Sequence, residues 1–277
     1  MSSRRKFIQL TSLGLATAAM QVPLAGIAAS AAQKKPNLSL GIAGYTFTKI
    51  EMAAAITMMK RLDVSNLSLK DVYLPLSSSD EKIHSVVSQF QQNGINIYTV
   101  GVIYMKSREA VDQAFDYAKK VGVNMIVGVP NYDLLDYAES KVKSLNIRLA
   151  IHNHGPEDEL YPGPQQVYDR IKDRDPRMGL CLDIGHATRA GVDPARAVKA
   201  YKDRLFDLHV KDVIGNTRDA KTIEIGRGVI DFEGFMKALR QVNYKGVCSF
   251  EFEKDMQDPL PGLAESMGFF KGTMALI

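Results

Sequence analysis

Five histidines occur in this 277-residue chain, and two of them, His152 and His154, stand two residues apart in "AIHNHG". At strand spacing, two such imidazoles share one face. Three later stretches carry acid, imidazole or amine side chains in a similar pattern. They are "CLDIGH" with Asp183 and His186, "DLHVKD" with His209 and Lys211, and "SFEFE" with Glu251 and Glu253. Each stretch closes an apolar run, so its first polar member is expected to be buried. An ionised carboxylate buried without a partner costs several kcal/mol. Asp183 and Glu251, beside two imidazoles and with no arginine at these strand ends, therefore call for a cation. A divalent metal is the simplest one, held by His152, Asp183, His209 and Glu251. Nitrogen and oxygen donors without thiolate point to Mn, Co, Zn or Fe, and two imidazoles make Mg less suitable.

Such a set works only if several strands deliver it to one place. From Leu38 onward, apolar runs at 38–47, 66–72, 95–104, 125–130, 148–154, 178–186, 205–213 and 246–253 alternate with amphipathic stretches. The stretch at 107–122 opens on Ser107 as a cap and stops at Gly122; those at 193–204 and 231–243 open on Asp193 and Asp231. Strand then helix, eight times, predicts parallel strands joined by crossovers. The fold class is α/β, a single (β/α)8 TIM barrel with eight parallel strands, in which sites sit at the carboxyl ends of the strands. A doubly wound open sheet is the rival, but no Gly-x-Gly-x-x-Gly follows the first strand. The long polar segment 214–230 after the seventh strand is where a barrel elaborates its site.

Residues 1–31 read as an export signal and 32–277 as the barrel domain. Arg4 and Arg5 in "SRRKFIQL" precede a weakly apolar run and the small residues "ASA", a twin-arginine-like pattern that predicts a periplasmic protein with no membrane span in its mature form. The first 31 residues hold three of the 35 Lys and Arg and none of the 31 Asp and Glu, which leaves 32 against 31. This near-neutral balance gives no argument for nucleic acid as a partner. Cys181 and Cys248 fall two strands apart and on opposite faces. With neighbouring strands about 4.8 Å apart, a bridge is out of reach, and both are expected to be reduced thiols.

Four stretches, "CLDIGH", "LHVKDV", "IGRGVIDFEGFMKAL" and "YKGVCSFEFE", resemble in order and spacing the xylose-isomerase-like barrel superfamily, specifically its sugar phosphate isomerase/epimerase group. The resemblance places Asp183, His209 and Glu251 on metal-ligand positions and His186 on a substrate-contacting one. It implies a small carbohydrate substrate and an enediolate intermediate. Strand five departs from the pattern: where the group commonly has Glu-Asn-His, this chain has His152-Asn153-His154. Only Glu251 remains of the two glutamates that move the proton in the group's epimerases. The superfamily's abasic-site endonucleases need a histidine-rich three-metal cluster, and the one remaining histidine here, His84, lies in a helical stretch.

The expected chemistry is isomerisation or epimerisation of a sugar or keto-sugar. The alternative is β-elimination, as on 3-keto-glycosides or keto-inositols. His154, Glu251 and His186 are the candidate bases, and Lys211 is the candidate to neutralise an oxyanion or protonate a leaving group. Lys70, Tyr45, Glu253 and His186 are expected to contact substrate. A non-catalytic exported sugar-binding barrel is the reading from another class, and the sequence leaves homo-oligomerisation open.

Overall fold

The computed structural model describes residues 38–277; the stretch read as an export signal lies outside them. The elements run β1 (Ser39–Ala43), α1 (Met52–Arg61), β2 (Asn66–Leu69), α2 (Asp80–Gln92), β3 (Asn96–Met105), α3 (Arg108–Val121), β4 (Met125–Pro130), α4 (Leu135–Leu145), β5 (Arg148–His152) and α5 (Pro164–Ile171). They continue with β6 (Met178–Asp183), α6 (Ile184–Arg189), α7 (Pro194–Ala200), β7 (Leu205–Val210), a small hairpin of β8 (Asp212–Val213) and β9 (Thr222–Ile223), α8 (Phe232–Gln241), β10 (Val247–Phe250) and α9 (Leu260–Leu276). Eight parallel strands close in the order β1-β10-β7-β6-β5-β4-β3-β2, the expected (β/α)8 barrel. Among the described residues, no helix is long and apolar enough to cross a membrane.

The helix ends follow the local chemistry. Ser107, Asp193 and Asp231 each accept a backbone N–H three residues on, and Gly122 ends α3 at φ 85°, where a side chain would be strained. Six of the eight barrel strands are shorter than the apolar runs suggest; β3 and β4 keep the full length. The first run turns into a 3-10 helix at Gly44–Phe47 instead of continuing as a strand. The sixth stops at Asp183, whose side chain accepts the backbone N–H of His186 and caps α6. His186 thus sits in a helix and not at a strand end. The strand carrying His209 gives way at Asp212 to the hairpin.

Closure separates an inner from an outer face. Met125, Val127, Ala150 and Cys181 form the cluster inside the barrel, whereas Ile126, Leu149 and Cys248 belong to the larger core under the helices. Cys181 and Cys248 are therefore buried, unpaired and on opposite faces, with β7 between their strands. The inward parity of Ala150, Cys181 and Ser249 passes, two residues on, to His152, Asp183 and Glu251. In β7 it runs from Asp207 to His209.

The loop after β7 is shaped by Asp212. Its carboxylate accepts the backbone N–H groups of Val213, Gly226, Gly228 and Ile230, the middle two at 2.9 Å. A Cβ at Gly228 would lie 2.2 Å from Asp212 Oδ1, so only glycine lets the main chain come this near.

Beneath the polar layer, Tyr98 donates to Asp207 at 2.9 Å and meets Ser249. Burial pushes the Asp207 carboxyl up to about 7, against the opposing influence of His209 and the Tyr98 hydroxyl. An unfolded Asp titrates near 3.9. Between those values the folded state holds a proton that the unfolded state has lost, so this group's contribution to stability falls by up to about 1.4 kcal/mol per pH unit as pH rises. Asp207→Asn removes that dependence. Melting curves from pH 5 to 8 should show wild type losing ground to the variant up to about pH 7 and levelling off beyond it; a constant gap throughout would mean that Asp207 titrates normally.

Candidate metal centre

Four barrel strands or their ends bring His152, Asp183, His209 and Glu251 to one point, all at most 6% exposed. His152 Nε2 lies 3.2 Å from His209 Nδ1 and 3.5 Å from Asp183 Oδ2, and His209 Nδ1 lies 3.3 Å from Glu251 Oε2. The four donor atoms fall within 4.8 Å of one another. Tetrahedral ligands at about 2.0–2.1 Å from one ion stand about 3.4 Å apart. The observed spacings match that edge, and the one ammonium near Asp183 Oδ2, that of Lys211 at 3.0 Å, is shared with Glu251. The set fits a divalent ion.

The neighbours hold this layer in place. Asn153 Nδ2 donates to the Asp183 carbonyl at 3.1 Å while its Oδ1 accepts the Asp183 N–H at 3.0 Å, stitching β5 to β6. Lys211 is no rim charge. The residue is 3% exposed, and its ammonium lies 3.0 Å from Asp183 and 2.6 Å from Glu251 and also contacts Glu253. Its stem passes over Gly185, where a Cβ would come within 2.3 Å of Lys211 Cγ. One lysine thus supplies part of the compensation that the sequence alone assigns to a metal, and it does so for three carboxylates.

The charge states follow from that packing. Burial pushes His152 down to about 3 and His186 down to about 4, and it lowers His154. All three are neutral near pH 7, the form that ligates metal or exchanges hydrogen bonds. Burial opposes ionisation of Asp183, but His186 and Lys211 hold its pKa well below the usual range; Lys211 is the effective partner at neutral pH because it stays charged. Burial likewise opposes ionisation of Glu251, and Lys211 and His209 keep it ionised.

Above this layer lies a cavity of about 210 Å³ whose walls include His154, His186, Lys70, Tyr45, Tyr104 and Glu253. The candidate base and substrate-contacting residues line this one space together with His152 and Glu251; Asp183 and His209 lie beneath its lining. Lys70 is tethered within it, donating to the Val102 carbonyl at 3.0 Å with Asp71 at 3.2 Å. A larger groove, about 410 Å³, opens near the start of α7, but its acids Asp193 and Asp231 are spent as helix caps.

Several contributors were not singled out from sequence. Tyr104 lies along His154, ring centroids 5.7 Å apart, with its hydroxyl 3.0 Å from His154 Nε2. Asp158 approaches His154 Nδ1 at 3.4 Å while fixing its own loop through the Leu160 and Tyr161 N–H groups. Cys181 has its sulfur within reach of both ligand imidazoles, its thiol pushed up to about 12 by burial. Only Asn153, lodged between the paired histidines, left a visible cue in the sequence.

Residues 74–273 match the family described as xylose isomerase-like TIM barrel. The chain belongs to this family. Within the xylose isomerase-like barrels, an L-ribulose 3-epimerase of Methylomonas sp. is 31% identical over 127 residues, 46% of this chain and 41% of that protein. An inosose dehydratase of Lacticaseibacillus casei is 24% identical over 140 residues, 44% of this chain and 45% of that protein. The chain spans less than half the length of these curated relatives. In three dimensions, the IOLI protein with a bound zinc atom shares the fold at a TM-score of 0.72 and 15% identity, covering 86% of this chain and 99% of that one.

His152→Ala should weaken Zn2+ binding, measured by calorimetry, on the order of 100-fold or more, since it removes a ligand and not just a ligand's support. Gly185→Ala should push Lys211 away from the carboxylates and lower the melting temperature by several degrees. An unchanged zinc isotherm for His152→Ala would exclude that imidazole from the centre.

Proposed function

We propose that this chain is an exported, divalent-metal-dependent enzyme. It takes a proton from the carbon beside a carbonyl in a small unphosphorylated sugar or keto-sugar and returns it elsewhere, as an isomerase or epimerase, or expels a β substituent as a lyase. One observation carries the reading: four converging nitrogen and oxygen donors at ion-binding spacing, at the floor of a cavity lined by neutral imidazoles. His152, Asp183, His209 and Glu251 would hold Mn, Co, Zn or Fe in preference to Mg. When bound, the metal supplies Lewis acidity that stabilises negative charge developing on a substrate oxygen.

The rest falls to the side chains. His154 is the neutral base nearest the mouth, and Tyr104 holds its ring from one side. Glu251, kept ionised by Lys211 and His209, is the second proton acceptor. Lys211 offers a fixed positive charge at the oxygen side of the reaction. Tyr45 and Tyr104, 42% and 50% exposed at the rim, give faces for a sugar ring to lie against. Among the described residues, no glycine-rich stretch lines the cavity, which favours an unphosphorylated substrate.

The elimination reading has its own support. With His152 in place of the group's glutamate, two matched carboxylates do not face each other across the substrate, and a single-base reaction with a separate donor suits the remaining groups. The relatives include both an epimerase and a dehydratase. A non-catalytic sugar-binding barrel would bind ligand without regard to chelation or to His154.

Proton–deuteron exchange at the α carbon of keto-sugars and keto-inositols, followed by NMR, tests the proposal. Exchange should disappear with EDTA, return with Mn2+ or Zn2+, and drop roughly 10²-fold or more in Glu251→Gln. No exchange with any divalent metal would rule out proton abstraction. For export, replacing Arg4 and Arg5 with lysine should abolish delivery of a fused reporter to the periplasm; undiminished delivery would remove the twin-arginine assignment.

A further inference from the structure

We propose that Arg189 is a positioning residue that fixes the tautomer of His186, so that the imidazole presents an N–H, not a lone pair, to whatever occupies the mouth. Arg189 is the last residue of α6, one turn beyond His186. Its Nη1 lies 3.1 Å from His186 Nδ1. A guanidinium carries donors only, so Nδ1 must accept and the ring proton must reside on Nε2. That nitrogen faces the carboxylate layer, 3.9 Å from Asp183 Oδ2. A second proton on Nδ1 would set two N–H groups against each other.

The guanidinium is itself immobilised. Its Nε donates to the Arg218 carbonyl at 2.9 Å, and Nη2 donates to Glu157 Oε1 at 2.8 Å, leaving the side chain 17% exposed. Those partners come from two different mouth loops, the one after β5 and the one between β8 and β9. One arginine thus joins both loops to the histidine between them. His186 then has a defined part: it donates a hydrogen bond to a substrate oxygen, or a proton to a departing one, and it is not the base. That part rests on the substrate reading above, whereas the tautomer does not.

Long-range 1H–15N spectra of the 15N-labelled chain, without metal or substrate, decide the tautomer. His186 is assigned by comparison with His186→Gln. Nδ1 should resonate as an unprotonated nitrogen and Nε2 as a protonated one. Arg189→Met should shift both nitrogens toward a mixture of tautomers, and Arg189→Lys, which keeps a donor, should restore the wild-type pattern in large part. In the exchange reaction, Arg189→Met should lower kcat about tenfold or more with a smaller change in KM, and Arg189→Lys should recover most of it. A proton found on Nδ1 in the wild type, or His186 signals unmoved in Arg189→Met, would overturn the proposal. The wild-type spectrum is decisive even if the methionine variant does not fold. Absence of turnover leaves the spectra standing, so the two proposals fail separately.

Discussion

Everything at the mouth of this barrel depends on how the charge of two nearly waterless carboxylates is met. Asp183 and Glu251 cannot stay ionised in the protein interior unless positive charge lies within contact distance. The His209 imidazole and, two residues on at the same strand end, the Lys211 ammonium supply the part that the chain itself provides. That ammonium in turn needs a path past α6, which Gly185 leaves open. With Glu253 also touching Lys211, three acids share one lysine. The excess of negative charge is what a divalent ion would complete, and the spacing of the imidazoles beside it is set by β5 and β7.

Much of this was legible in the sequence because strand parity is a rigid rule. Once 148–154, 178–186, 205–213 and 246–253 are read as strands, their inward positions follow by counting, and His152, Asp183, His209 and Glu251 emerge at one depth. Parity does not say where a strand stops. The apolar run continues through His186, whereas the chain turns into a helix as soon as Asp183 can cap it. At Lys211 the sequence admits a solvated rim charge as readily as a group that neutralises an oxyanion, and neither shows the buried pairing with three acids, because a lysine's long stem reaches any of these places. Arg189 left no trace at all: its contacts come from loops after two different strands, and nothing in local pattern links residues that far apart.

The histidine at position 152 shifts the balance of the site in a direction that can be reasoned out. A glutamate there would add a fourth negative charge and a second carboxylate able to take a proton. An imidazole held neutral by burial does neither; it binds without contributing charge and so leaves the reaction asymmetric across the cavity. His154 on one side and Glu251 with Lys211 on the other are chemically unlike groups, suited to different halves of a proton transfer.

The Asp212 carboxylate, ringed by four peptide N–H groups, has a quieter consequence. Because the 214–230 excursion takes much of its course from main-chain bonds to one aspartate and from the room left by a glycine, its exposed side chains, unlike the buried Ala220, Glu224, Ile225 and Ile230, are free of architectural duty. Mutational drift can rewrite them without unseating the barrel. The rim is therefore the part of the molecule where a lineage could retune which compound it admits while the buried chemistry underneath stays the same.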